Sequence, residues 1–143
     1  MTSYTGSTID HLNITATDIA ASRAFYDAVL PVVGVEKLLD FPEAEDRPAM
    51  IGYGRDPKPF LWLVDGRTTD PNLHLAFTVD NRADVDAFYT AALAAGAVSR
   101  HAPAVHPEYH SDYYGAFVTD PDGTNLEAVC HRSTTATRDP NEA

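Results

Sequence analysis

Three side chains in this sequence have the types and spacing to hold a divalent metal: His11, His74 and Glu127. Each lies in a short stretch with strand character, "IDHLNIT", "NLHLAFTV" and "TNLEAVC". Side chains on a strand alternate between its two faces. His11 therefore shares a face with Ile9 and Asn13, His74 with Asn72, Ala76 and Thr78, and Glu127 with Asn125, Val129 and His131. In all three stretches the opposite face is the more apolar one and should pack under helices. The three polar residues are thus expected on the open face of a curved sheet. Two histidines and one carboxylate bind Fe, Mn, Zn or Ni and leave coordination positions for a substrate or oxygen. A metal would also give Glu127, a carboxylate in an otherwise apolar strand, the partner that a buried charge requires. The competing reading is that each is an ordinary solvated or hydrogen-bonded strand residue.

An internal repeat favours the joint reading. "HLNITATDIAASRAFYDAVL" from His11 aligns without a gap on "HLAFTVDNRADVDAFYTAAL" from His74, at an offset of 74 − 11 = 63. Both histidines fall at the same place in two copies of one unit, and so long a period suggests paired supersecondary modules rather than a solenoid. Each copy opens with a strand and continues into a helix. Phe25, Tyr26, Val29 and Leu30 recur at helical spacing in the first, as do Val85, Phe88, Tyr89, Ala92 and Leu93 in the second. Asp18 and Asn81 can cap these helices; Pro31 with Gly34, and Gly96, end them. Three more strands follow each helix: "VEKLLDF", "PAMIGYG" and "PFLWLVD", then "AVSRH", "YYGAFVTD" and "TNLEAVC". The expected fold is α+β, two tandem βαβββ modules forming a curved eight-stranded cup. Module one spans 8–65, a linker 65–72 and module two 72–131, all within a single domain at 8–131; residues 1–7 and 132–143 read as polar tails.

Composition narrows the partners. The 143 residues carry a formal net charge of -11, with 21 acidic and 10 basic residues and no basic run. Nucleic acid and anionic membranes are therefore poor partners. Cys130 is the single cysteine, so no internal disulfide is possible. No stretch reaches the ~20 apolar residues that span a bilayer, and the N-terminal stretch carries no apolar signal region. A cytoplasmic protein acting on a small molecule is expected.

The sequence resembles the vicinal oxygen chelate superfamily, which includes glyoxalase I, extradiol dioxygenases and the fosfomycin- and bleomycin-resistance proteins. The resemblance rests on "DHLNITATDIAASRAFYDAVL", "LHLAFTVDNRADVDAFY" and "FVTDPDGTNLEAV", and covers roughly residues 8–131. It implies a cup around one divalent metal, with His11, His74 and Glu127 at three ligand places. The metal chelates a substrate through neighbouring oxygens and stabilises a developing oxyanion. Glyoxalase I usually carries a fourth ligand, a glutamate on the last strand of module one. Aligning "NLEAV" with "FLWLV" puts Trp62 there instead. Extradiol dioxygenases carry a histidine, an aliphatic–tyrosine pair, Asp-Pro-x-Gly and a ligand glutamate. His110, Asp120, Pro121, Gly123 and Glu127 fit that pattern, while Phe117 takes the tyrosine position. Fosfomycin-resistance transferases continue past the ligand glutamate with basic residues; here only Arg132 and Arg138 follow.

The implied function is that of a metal-dependent, glyoxalase- or dioxygenase-like enzyme acting on a small oxygenated substrate. The alternative is a non-catalytic binding protein of the bleomycin-resistance kind. His110 is the candidate general acid/base, with Tyr113 or Tyr114 supplying a hydroxyl. Trp62, Phe117 and Asn13 are the candidate substrate contacts. Many relatives pair two chains, each closing the other's cup, so a homodimer is expected with His11 from one chain and His74 plus Glu127 from its partner.

Overall fold

A computed structural model describes residues 7, 9–67 and 72–133. The centre of the linker, most of both tails and residue 8 lie outside the described residues. The elements are β1 (Leu12–Ala16), α1 (Ile19–Val29), β2 (Glu36–Phe41), β3 (Met50–Arg55), β4 (Lys58–Asp65), β5 (His74–Thr78), α2 (Arg82–Ala94), β6 (Val98–Val105), β7 (Tyr114–Thr119) and β8 (Asn125–Cys130). The expected βαβββ order therefore holds in both modules. The strands form two four-stranded sheets, ordered β1-β4-β3-β2 and β5-β8-β7-β6, in a cup-like arrangement. β1 runs parallel to β4 and β5 to β8; the other pairings are antiparallel.

Local chemistry fixes the helix ends. The Asp18 carboxylate accepts from the Ala21 amide at 3.1 Å, and the Asn81 side chain from the Asp84 amide at 2.8 Å. After α1 the chain tightens into a 3-10 turn, Leu30–Val33, and Gly34 closes it at φ 79°. Pro31 thus sits inside this turn, where its missing amide proton costs nothing, and Gly34 makes the stop. β6 runs to Val105, four residues beyond the "AVSRH" expected, and it does so across register shifts on either side of His101.

The two modules share one core. Ile14, Phe25, Tyr26, Leu61 and Leu63 pack with Phe77, Phe88, Ala92, Val118 and Leu126 in a single buried cluster. A polar clasp reinforces it. The buried Tyr26 hydroxyl on α1 donates to Asp120 Oδ2 at 2.7 Å. The other oxygen of Asp120 accepts from the amides of Asp122 and Thr124, at 2.9 and 2.8 Å, and so shapes the turn into β8. Thr17, between β1 and α1, donates to the Asp122 carboxylate through its amide (3.1 Å) and its hydroxyl. The "DPDG" turn therefore ties module two to module one as well as starting β8. Among the described residues no helix is long and apolar enough to cross a membrane.

Register shows how the modules diverged. Asn13 pairs with Trp62 across β1–β4, and Ala76 pairs with Glu127 across β5–β8. Positions 13 and 76 are 63 apart, the repeat offset, so Trp62 holds in module one the place that Glu127 holds in module two. Opposite them stand Gly52 and Phe117 respectively. The glycine has a reason: a Cβ there would meet the Trp62 ring at 2.8 Å, so the indole lies against the sheet only because residue 52 has no side chain.

Candidate metal and substrate site

Glu127 sits at the centre of β8, which hydrogen-bonds to β5 on one side and β7 on the other. It is 1% exposed, among the most deeply buried side chains of the protein. Its two oxygens have different partners. His74 Nε2 donates to Oε1 at 2.9 Å, and the Tyr113 hydroxyl donates to Oε2. Among the described residues no lysine or arginine pairs with it. Burial, and then the Glu127 carboxylate, push the Tyr113 hydroxyl well above the ordinary tyrosine pKa, so it keeps its proton. Gly115 leaves room for this contact: a Cβ there would lie 3.0 Å from Glu127 Oε2 and 3.2 Å from the Tyr113 ring.

His74 is the accessible member of the pair, with 42% of its side chain exposed. Its face of β5 is open as the alternation requires: Ala76 and Thr78 are exposed with it, while Phe77 is buried. Phe117 stacks on the His74 ring at 6.0 Å between centroids. It stands opposite Glu127 on β7 and so forms an apolar wall beside the two donors.

His11 is not part of this cluster within one chain. Its Nδ1 donates to Asp10 at 2.7 Å, and Asp10 also binds Lys58 at 2.8 Å. Half of its side chain is exposed, 53%. It lines a mainly apolar groove of about 620 Å³ with Ile9, Lys58, Phe60 and Leu75. Among the described residues no group of three histidine, cysteine, aspartate or glutamate side chains is close enough to hold a metal. One chain thus brings two of the three expected ligands together and leaves the third on the other module. Asn13 is exposed on β1, on the same face as Trp62 and away from Glu127. Trp62 is half-buried and lies parallel to Phe41, with ring planes 10° apart. Arg47 sits over the Phe41 ring at 4.8 Å.

The loop candidates separate. Tyr113 contacts Glu127. Tyr114, the next residue, faces the opposite way, as strand alternation dictates; its hydroxyl donates to Asp86 on α2 at 2.6 Å, and Arg82 covers its ring. Burial and then Asp86 push its pKa up to about 12. Tyr114 therefore packs against α2, through Asp86 and Arg82. His110 lies 5.5 Å from Tyr113, ring to ring, but both its nitrogens are used. Nδ1 accepts from the Asp112 amide at 3.1 Å, so the proton is on Nε2, which donates to His131 Nδ1 at 2.9 Å. Burial, and then the neighbouring His110, lower the pKa of His131. His131 is the partner that sequence reasoning missed. Its signal was available, since it alternates with Glu127 and Val129 on one face of β8.

The family model described as Glyoxalase/Bleomycin resistance protein/Dioxygenase superfamily matches residues 8–128. Among solved structures, the chain is similar to a glyoxalase/bleomycin resistance protein from Albidiferax ferrireducens T118, with 24% identity over 87% of this chain and 99% of that one and a TM-score of 0.67. A glyoxalase/bleomycin resistance protein/dioxygenase family enzyme from Burkholderia phytofirmans PsJN gives 25%, 88%, 100% and 0.65 for the same quantities. Glyoxalase I from Zea mays is 18% identical, with a TM-score of 0.66 over 89% of this chain and 45% of that one. Comparison with curated proteins finds no match. With the paired βαβββ modules and a family match over most of its length, the chain belongs to the glyoxalase/bleomycin resistance protein/dioxygenase superfamily.

Proposed function

We propose that this protein is a metal-dependent enzyme of the glyoxalase or dioxygenase type that acts on a small oxygenated substrate. The observation that carries the reading is the convergence of His74 and Glu127 on the open face of module two, donor atoms 2.9 Å apart. Two ligands at about 2.1 Å from one ion, at right angles, stand about 3 Å apart, so the pair fits adjacent coordination positions. A carboxylate this deeply buried also calls for a positive partner. His11 would be the third ligand. Its exposure on the other module supports a site completed by a second copy of the chain, with His11 from one protomer and His74 and Glu127 from the other. A divalent metal held there would act as a Lewis acid toward neighbouring oxygens of the substrate. Tyr113 holds Glu127 in place and keeps its own proton. Phe117 limits the substrate's approach. His110, with its proton directed at His131, would exchange protons with a substrate only after that contact opens.

A second reading has its own observation. Trp62 stands where a fourth ligand acid would be and lies on Gly52 beside Phe41, which suits a flat ligand bound without chemistry. Metal content separates the two. Protein purified without added metal, then supplemented with Fe(II), Mn(II), Ni(II) or Zn(II) at neutral pH, is expected to retain a divalent ion. Glu127→Gln, which keeps the size of the side chain, should not. Zero metal in both would support the binding-protein reading instead, and equal metal in both would reject Glu127 as a ligand.

A further inference from the structure

A second feature of the same open face adjoins the proposed metal ligands. Beside Phe117 lies a cleft of about 270 Å³ whose lining includes Arg100, His101, His106, Glu108, Phe117 and Asn125. Two polar atoms of these residues are buried with no hydrogen-bond partner, His106 Nε2 and Asn125 Oδ1. Both belong to well-anchored residues. The His106 amide donates to the Tyr113 carbonyl at 2.8 Å, and its carbonyl accepts from the Tyr109 amide at 3.1 Å. Asn125 pairs with His74 across β5–β8 and with Thr119 across β7–β8. Neither can escape its position by fraying, and an unpaired buried polar atom is destabilising.

The hydrogen-bond chemistry says what is missing. His106 Nδ1 lies 3.0 Å from Glu108 Oε1, and a carboxylate only accepts, so Nδ1 carries the proton. In the neutral ring Nε2 is then a bare acceptor, and Asn125 Oδ1 is an acceptor too. Two acceptors require donors. Aromatic edges and faces wall the space: Phe117 meets His101 at 5.6 Å and His106 at 5.4 Å, both edge-on. Glu108 at the mouth disfavours an anion, and Arg100 with no ion-pair partner among the described residues disfavours a cation.

We infer that this cleft is a recognition subsite for a neutral group with two donor protons, a primary carboxamide carried on a flat skeleton. Its donor protons satisfy His106 Nε2 and Asn125 Oδ1, and its oxygen faces Arg100. As the far end of a molecule chelated beside His74 and Glu127, this group rests on the function proposed above; as a binding cleft it does not.

Nitrogen-15 NMR of the metal-free protein, titrated with benzamide, phenol and benzoate, tests the inference without any metal. Benzamide should shift the His106 ring nitrogens and the Asn125 side-chain amide with a millimolar dissociation constant, and phenol, with a single donor proton, and benzoate should each bind at least tenfold more weakly. Asn125→Leu should abolish the response, and Asn125→Asp, which keeps an acceptor oxygen, should retain it. Preference for benzoate would overturn the proposal in favour of an anion held by Arg100. No binding of any probe would overturn it in favour of water alone. Loss of benzamide binding in Asn125→Asp would show that Asn125 acts as a donor and would equally overturn it. A metal-free protein that binds benzamide but takes up no metal would retain the subsite while rejecting the metal site.

Discussion

His74 Nε2 lies 2.9 Å from Glu127 Oε1, across the parallel pair β5 and β8. One member is half open to solvent and the other almost wholly enclosed. In the proposed ligand pair the accessible imidazole would meet the incoming ion, while Tyr113 holds the buried carboxylate.

Tyr113→Phe is expected to weaken metal binding roughly 10–100-fold, the usual cost of losing a supporting hydrogen bond to a ligand. Glu127→Gln should cost more than Tyr113→Phe, because it removes the ligand charge itself. Competition against a chromogenic chelator measures both. Equal affinities in wild type and Tyr113→Phe would mean that the hydroxyl does not orient the carboxylate.

Alkaline pH should unfold the protein earlier than its carboxylates and histidines alone would predict. Burial, and then hydrogen-bonded carboxylates, push the pKa of Tyr26 and Tyr53 far above the ordinary range. The folded state therefore keeps protons that the unfolded chain releases above about 10. The stability these tyrosines contribute is complete below that pH and declines as pH rises through and beyond it. Tyr26→Phe removes the bond to Asp120, should cost about 1–3 kcal/mol at neutral pH, and should flatten the decline in melting temperature between pH 9 and 11. An unchanged slope would contradict the assignment.

The acid side depends on His131. Its pKa is lowered by burial and then by His110, so as pH falls through about 6.5 the unfolded chain takes up a proton before the folded one does. Stability should fall over that window. His131→Gln should reduce the fall, measured by urea unfolding at pH 7.5 and 5.5; an identical fall in both proteins would show that other groups govern it.

The modules, their helices and caps, and the open faces of β1 and β5 were legible because each depends on local pattern: alternation, helical spacing, a capping carboxylate, a glycine at a left-handed stop. The place of Trp62 was also legible, since the register confirms the alignment of "FLWLV" with "NLEAV". What pattern could not give was partnership at a distance. Tyr113 and Tyr114 look equivalent in sequence, and only the start of β7 decides that one faces Glu127 and the other Asp86. His110 looked available until His131, 21 residues on, was seen to take its proton. The destination of His11 depends on how the modules turn relative to each other, which no strand pattern encodes.

Gly52→Ala tests the module-one face. Trp62 is the only tryptophan, so its fluorescence reports this face alone. A Cβ at 2.8 Å from the indole must lift the ring from the sheet. A shift of the emission maximum toward that of exposed tryptophan is expected. Unchanged emission would mean that the ring and strand adjust without displacement.

The central claim, a metal triad divided between two chains, is tested most directly by metal stoichiometry in mixed dimers of His11→Ala and His74→Ala. Both positions are exposed, and the folding of each variant is checked by circular dichroism before mixing. Each variant alone should lack a strong site. In a verified heterodimer the divided arrangement gathers both lesions into one site and leaves the other whole, so one strongly bound metal per heterodimer is predicted. No recovered site in the heterodimer, with metal still bound by the wild type, would contradict it.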